Sequence, residues 1–136
     1  MQKIQIQTAA GKSKILIGDG FQQVGKMVPV GRAVIVTDDN VAALYGDRFP
    51  PAPVIRIGGG EESKTLGTVR KIYEALIEAG ADRSSTIVGI GGGIVCDVAG
   101  FAAATFMRGA GLGFVATTLL AQVDASVGGK NGVNLR

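Results

Sequence analysis

Histidine is absent from this 136-residue sequence and cysteine occurs once. The first absence removes the commonest catalytic base near neutral pH and the commonest zinc ligand. With one cysteine there is no intrachain disulfide and no thiolate metal cluster, so a reducing compartment is expected. Long apolar runs are missing too, because Gly, Thr and charged residues interrupt every candidate for a bilayer span. The opening MQKIQIQT lacks the apolar core of a secretory signal. Lys and Arg total 14 against 11 for Asp and Glu, with no basic run long enough to follow a phosphate backbone, so no nucleic-acid partner is expected. A cytoplasmic protein without a membrane partner is the expectation, sized for one compact α/β unit or one lobe of a larger enzyme.

What is present alternates in type along the chain. Lys3–Thr8 and Ser13–Ile17 read as strands of a β-hairpin about a turn at Ala10–Lys12. Phe21–Val28 reads as a short helix, and Ala33–Thr37 (AVIVT) is a β-branched run suited to a sheet covered on both faces. Val41–Phe49 suggests a helix ended by Pro50, Pro51 and Pro53, and Val54–Ile57 a second inner strand. Leu66, Val69, Ile72, Tyr73, Leu76 and Ile77 recur at helical spacing as one apolar face, with Gly80 at the stop position. Thr86–Ile90 is the next strand, Gly91–Gly93 leads into the apolar stretch Ile94–Thr105, Gly113–Ala116 is a further strand, and Leu119–Ser126 a short helix. The expected fold is α/β, a doubly wound and mostly parallel sheet with a β-hairpin at one edge. The final GGKNGVNLR stops in what reads as strand or loop, which suggests a lobe cut from a longer protein.

In such sheets ligands bind beyond the carboxyl ends of the strands. Each apolar run is followed there by polar or glycine residues with two readings. Gly89–Asp97 (GIGGGIVCD) is either a phosphate cradle at a helix start, through Gly92 and Gly93, or a tight strand-to-helix turn. Asp97 is read in the first turn of that helix, as a ribose ligand or as a cap. Asp38 and Asn40, in VTDDN, suit an adenosine end or a plain helix cap. Glu61 and Lys64, in GGGEESK, suit ribose hydroxyls and a phosphate or a solvated turn. Thr117 and Thr118 offer hydroxyls at a strand end or open a helix. Asp124 and Lys130, in VDASVGGKNGVN, could meet across a turn, tune each other and hold a hydroxylated anion, or form an exposed ion pair. Arg108, in FMRG, is a phosphate fork or a helix-end cation. Cys96 reads as packing.

Taken in order, GGGEESKT, GIGGGIVCDVAGFAAATFMRG and ATTLLAQVDASVGGKNGVN closely resemble the N-terminal lobe of the 3-dehydroquinate synthase family. Glycerol dehydrogenase and iron-dependent alcohol dehydrogenases share the glycine turn but not FMRG followed by QVDASVGGK. Sugar-phosphate cyclases such as 2-deoxy-scyllo-inosose synthase are the nearer alternative. The resemblance implies an enzyme that converts 3-deoxy-D-arabino-heptulosonate 7-phosphate to 3-dehydroquinate and phosphate, using NAD transiently and a divalent metal, zinc or cobalt. It places Asp38 and Asn40 at the adenosine end of NAD, Glu61 and Lys64 on its ribose and phosphate region, and Gly92 and Gly93 on the pyrophosphate. Asp97 falls to the nicotinamide-side ribose, with Thr117, Thr118 and Lys130 completing the cofactor site.

Asp124 and Lys130 are implied as substrate contacts, and Arg108 as a residue reaching the substrate phosphate of a neighbouring subunit in a homodimer. Asn134 lies in the same segment. The family's metal ligands, a glutamate and two histidines, belong to a C-terminal helical domain that is absent from these residues, so the lobe alone is expected to be inactive. A free-standing nucleotide-binding module is the alternative from outside the enzyme class.

Overall fold

β-branched runs too apolar to face water on either side can be satisfied only by helices on both faces, and that requirement sets the architecture. The computed structural model describes residues 1–135. It contains β1 (Gln2–Thr8), β2 (Gly11–Ile17), α1 (Gly20–Met27), β3 (Ala33–Asp38), α2 (Asp39–Tyr45) and β4 (Val54–Ile57). These are followed by α3 (Leu66–Glu78), β5 (Thr86–Gly91), α4 (Gly93–Thr105) and β6 (Gly111–Ala116).

The four later strands form a parallel sheet in the order β4-β3-β5-β6. Alternation along β3 and β5 then sorts the core. Val34, Val36 and Ile87 pack with α3 and α4 through Val69, Ile72, Leu76, Val95 and Val98, whereas Ile35, Val88 and Ile90 face Val24 of α1 and Val41 of α2. Ile35, Ile72 and Leu76 are completely enclosed, each contributing about 1.5–3 kcal/mol of burial. Helix α4 lies so close to its neighbours that a Cβ on Gly100 would come within 2.9 Å of the Asn131 Cβ.

The doubly wound sheet is as expected, and three details differ. The hairpin pairs only with itself and makes a separate two-stranded sheet. β4 is an edge strand rather than an inner one, with Val54 43% exposed; the prolines before it suit an edge, where a missing N–H costs no ladder bond. On α3 the buried face is Val69, Ile72 and Leu76, while Leu66 and Ile77 are exposed because they lie about 90–110° round the helix from that face. Gly80 does stop α3, at φ +74°.

Strand order reverses direction between β3 and β5, so their carboxyl ends open a crevice between them. Thr37 Oγ1 donates to the Ile90 carbonyl (2.7 Å) and fixes those two ends together.

Candidate functional site

Four loops leave the sheet on that edge. From β4 the chain turns through Gly58–Gly60 into one 3₁₀ turn at Glu61–Ser63, and Thr65 caps α3 by accepting from the Thr68 N–H. From β5 it enters α4 through Gly92, which occupies the cap position without a side-chain hydrogen bond, so the first N–H groups of α4 are left for a ligand. A methyl on Gly92 would approach Thr118 Cγ2 to 3.2 Å.

A cleft of about 430 Å³ opens there, lined by Glu61, Lys64, Gly93, Ile94, Asp97, Leu120, Asp124, Ala125 and Lys130. Five charged side chains singled out from the sequence thus converge beside one helix N-terminus, from positions spread over about half the chain.

Within the cleft, Lys64 Nζ and Asp97 Oδ2 form an ion pair at 2.7 Å, with 21% and 24% of the two side chains exposed. Asp97 is the only charge in α4 and lies one turn further in than the sequence suggested, since no acidic residue occupies the first turn. From there it reaches across to the β4 loop instead of capping its own helix. Its hydrogen bond raises the Lys64 pKa above the ordinary lysine value; burial opposes this, and the charges of Asp97 and Glu61 add to it.

Neighbouring Cys96 points away into the core, where burial, together with the Asp97 charge, pushes its thiol up to about 12. It is a packing residue, as expected.

Asp124 sits in a π-helical stretch, Ala121–Ala125, which follows a single α-type turn at Leu119 and Leu120 in place of a uniform short helix. The widened turn is closed by the Ser126 N–H donating to the Ala121 carbonyl at 2.9 Å. Asp124 and Lys130 share the cleft, but no ion pair joins them among the described residues.

The remaining candidates lie around or away from the cleft. Asp38 caps α2, accepting from the Val41 N–H at 2.7 Å, and Asn40 is exposed in the first turn of that helix. The Thr117 N–H donates to the Gly91 carbonyl (3.0 Å), and Thr118 Oγ1 accepts from the Ala121 N–H (3.1 Å). Arg108 is elsewhere. It follows the far end of α4, about 20 Å from the cleft by helix rise. Met107 and Arg108 both hold left-handed backbone, at φ 48° and 69°.

Ile94, Leu120 and Ala125 also line the cleft and were not legible from sequence, because apolar side chains carry no local mark of facing a cleft. Among the described residues no cluster of three or more His, Cys, Asp or Glu could hold a metal ion, so a resident metal does not fit the groups present. A nucleotide does fit, given the uncapped glycine entry to α4 and the mixed donors and acceptors beside it.

A sequence profile described as "3-dehydroquinate synthase N-terminal" matches residues 54–136. A 3-dehydroquinate synthase of Halorhodospira halophila is 50% identical over 127 residues, covering 88% of this chain and 36% of its own. Among solved structures, 2-deoxy-scyllo-inosose synthase complexed with carbaglucose-6-phosphate, NAD+ and Co2+ superposes with a TM-score of 0.83 at 34% identity, over 98% of this chain and 40% of that one. The 2-epi-5-epi-valiolone synthase ValA of Streptomyces hygroscopicus, with NAD+ and Zn2+ bound, gives 0.77 at 25% identity, over 90% of this chain and 37% of its own. The chain spans about two fifths or less of the length of these proteins.

Proposed function

Because this chain belongs to the 3-dehydroquinate synthase family, matching its N-terminal domain, we propose that the cleft is the cofactor half of a synthase active site. The reaction is conversion of 3-deoxy-D-arabino-heptulosonate 7-phosphate to 3-dehydroquinate and phosphate. The observation that carries this is the convergence of Glu61, Lys64, Asp97, Asp124 and Lys130 on the uncapped N-terminus of α4.

In this reading residues 1–136 are the NAD-binding N-terminal domain of a longer enzyme. The N–H groups following Gly92, with Gly93 beside them, receive the pyrophosphate, where the helix dipole favours negative charge. Asp38 and Asn40 receive the adenosine end. Glu61 accepts from ribose hydroxyls, Lys64 supplies positive charge near the phosphates, and Asp97 both orients Lys64 and accepts from the nicotinamide-side ribose. Thr117 and Thr118 close the strand-end wall.

NAD, when bound, supplies reversible hydride exchange with one alcohol carbon of the substrate. Asp124 and Lys130 face that position, Lys130 donating to the substrate carboxylate or hydroxyls and Asp124 accepting from hydroxyls. Arg108, too distant to serve its own cleft, reaches the substrate phosphate of a second copy in a homodimer. The family's histidine metal ligands are not among these residues, which contain no histidine. No step is assigned to the metal.

Ligand-observed NMR with NAD, read together with amide shifts of the chain, tests this. NAD is expected to bind weakly and to move Gly92, Gly93, Lys64 and Asp97. Shifts confined to other regions would remove the cofactor reading. The chain alone is expected to release no phosphate from the heptulosonate phosphate, and turnover would show that the site is complete as it stands.

A further inference from the structure

Residues 61–65 and 130–134 meet only through tertiary structure, and one side chain joins them. Asn134 Nδ2 donates to Glu61 Oε1 at 2.8 Å, and the Asn134 backbone N–H donates to the Lys64 carbonyl, also at 2.8 Å. A single parallel bridge couples Thr65 to Asn134. Just before it, Val133 packs on the core beneath α4, and Asn131 fills the space left by Gly100. The segment carrying Lys130 is thus seated on α4 and pinned at Asn134 to the loop carrying Glu61 and Lys64.

We propose that Asn134 is the positioning residue of the cleft, holding the Glu61 carboxylate and the Lys64 backbone so that Glu61, Lys64 and Lys130 address one ligand. This rests on the cleft being the cofactor and substrate site. The amide donates through nitrogen to one carboxylate oxygen and leaves Oε2 of Glu61 to accept from a ligand hydroxyl. An aspartate of the same shape would set two carboxylates against each other, and a leucine would remove the donor while filling similar volume. The charged groups lining the cleft beside this contact are Lys64 from the same loop, Asp97 from α4, Asp124 from the π-helical turn, and Lys130, and Glu62 is the chain neighbour of Glu61.

The test compares Asn134→Asp with Asn134→Leu by NAD affinity at two pH values and by the side-chain carboxyl carbon resonance of Glu61. Asn134→Asp is expected to lose about tenfold in affinity near pH 8, the effect of one charge-assisted hydrogen bond. It should recover most of that as pH falls toward about 5, where a proton shared by the two carboxylates restores the bond. Asn134→Leu should lose a similar amount at both pH values, and both variants should shift the Glu61 carboxyl resonance. An Asn134→Asp loss that is equal at both pH values, or an unmoved Glu61 resonance, overturns the proposal and leaves Asn134 a packing residue. If the unsubstituted chain ignores NAD while the Glu61 resonance still responds in Asn134→Asp, the cofactor reading fails and the positioning role stands.

Discussion

The two ends of α4 are opposites. At its start the helix is uncapped, glycine-led and surrounded by five charged side chains, two of them locked in a partly buried ion pair. At its finish the chain passes through two successive left-handed residues and displays Arg108 to solvent. One end gathers groups from the segments that follow β4, β5 and β6, because the carboxyl edge of a parallel sheet collects them there. The other end offers a single cation in a conformation that costs about 1–3 kcal/mol per residue to hold. A cleft within one chain and a finger offered outward are therefore different devices, and substitutions should separate them.

The largest effect is expected at Asp97. Asp97→Ala leaves the Lys64 ammonium mostly enclosed without its partner, which should lower NAD affinity about 10- to 100-fold and stability by about 1–2 kcal/mol. Calorimetry and chemical unfolding read the two losses; an effect no larger than that of a surface alanine would show that the pair is incidental. Next is Gly92→Val, which puts a branched side chain against Thr118 where a phosphate must approach. NAD affinity should fall about tenfold, with Tm little changed because Thr118 is exposed and can yield.

A smaller signal lies in alkaline stability. Lys64 binds its proton more tightly in the fold than in the unfolded chain. The stabilisation it gives is therefore present below the ordinary lysine value, about 10.4, and fades as pH rises through the higher folded value. Unfolding free energy measured from pH 9 to 12 should show that fall, and Asp97→Asn should shrink it.

How much of this the sequence disclosed follows from the range over which each feature is determined. The β-branched runs of β3 and β5 and the polar residues after them are local, so the sheet and the edge bearing the site were readable. Asp97 was readable as a candidate but not as the partner of Lys64, since that contact depends on how closely α4 rides over the β4 loop. Spacings of three and four group Leu66 and Ile77 with the buried face, and their angular offset from Val69, Ile72 and Leu76 shows only once those three fix its direction. The π-helical turn under Asp124 and the left-handed pair at Met107 and Arg108 have no compositional mark, because neither position carries the glycine or asparagine that usually announces such backbone. Asn134 was legible only as a member of the segment bearing Asp124 and Lys130, because its contact is with a residue 73 positions away.

The smallest expected effect bears most directly on the comparison. Arg108→Gly removes the guanidinium and also the steric cost of φ 69°, so the chain should gain about 1 kcal/mol of stability. Arg108→Ala removes the guanidinium and keeps the cost, so it should leave stability nearly unchanged. Neither should alter NAD affinity of the single chain by more than about twofold, because the side chain lies roughly a full helix length from the cleft. If Arg108→Gly is no more stable than Arg108→Ala, the left-handed turn stores no strain and needs no functional account. If either variant weakens NAD binding as Asp97→Ala does, Arg108 belongs to its own cleft and the contrast between the ends of α4 collapses. Stabilisation without loss of binding, joined to lost turnover in the assembled enzyme, would mean that the strained end of α4 is maintained for a neighbour's substrate.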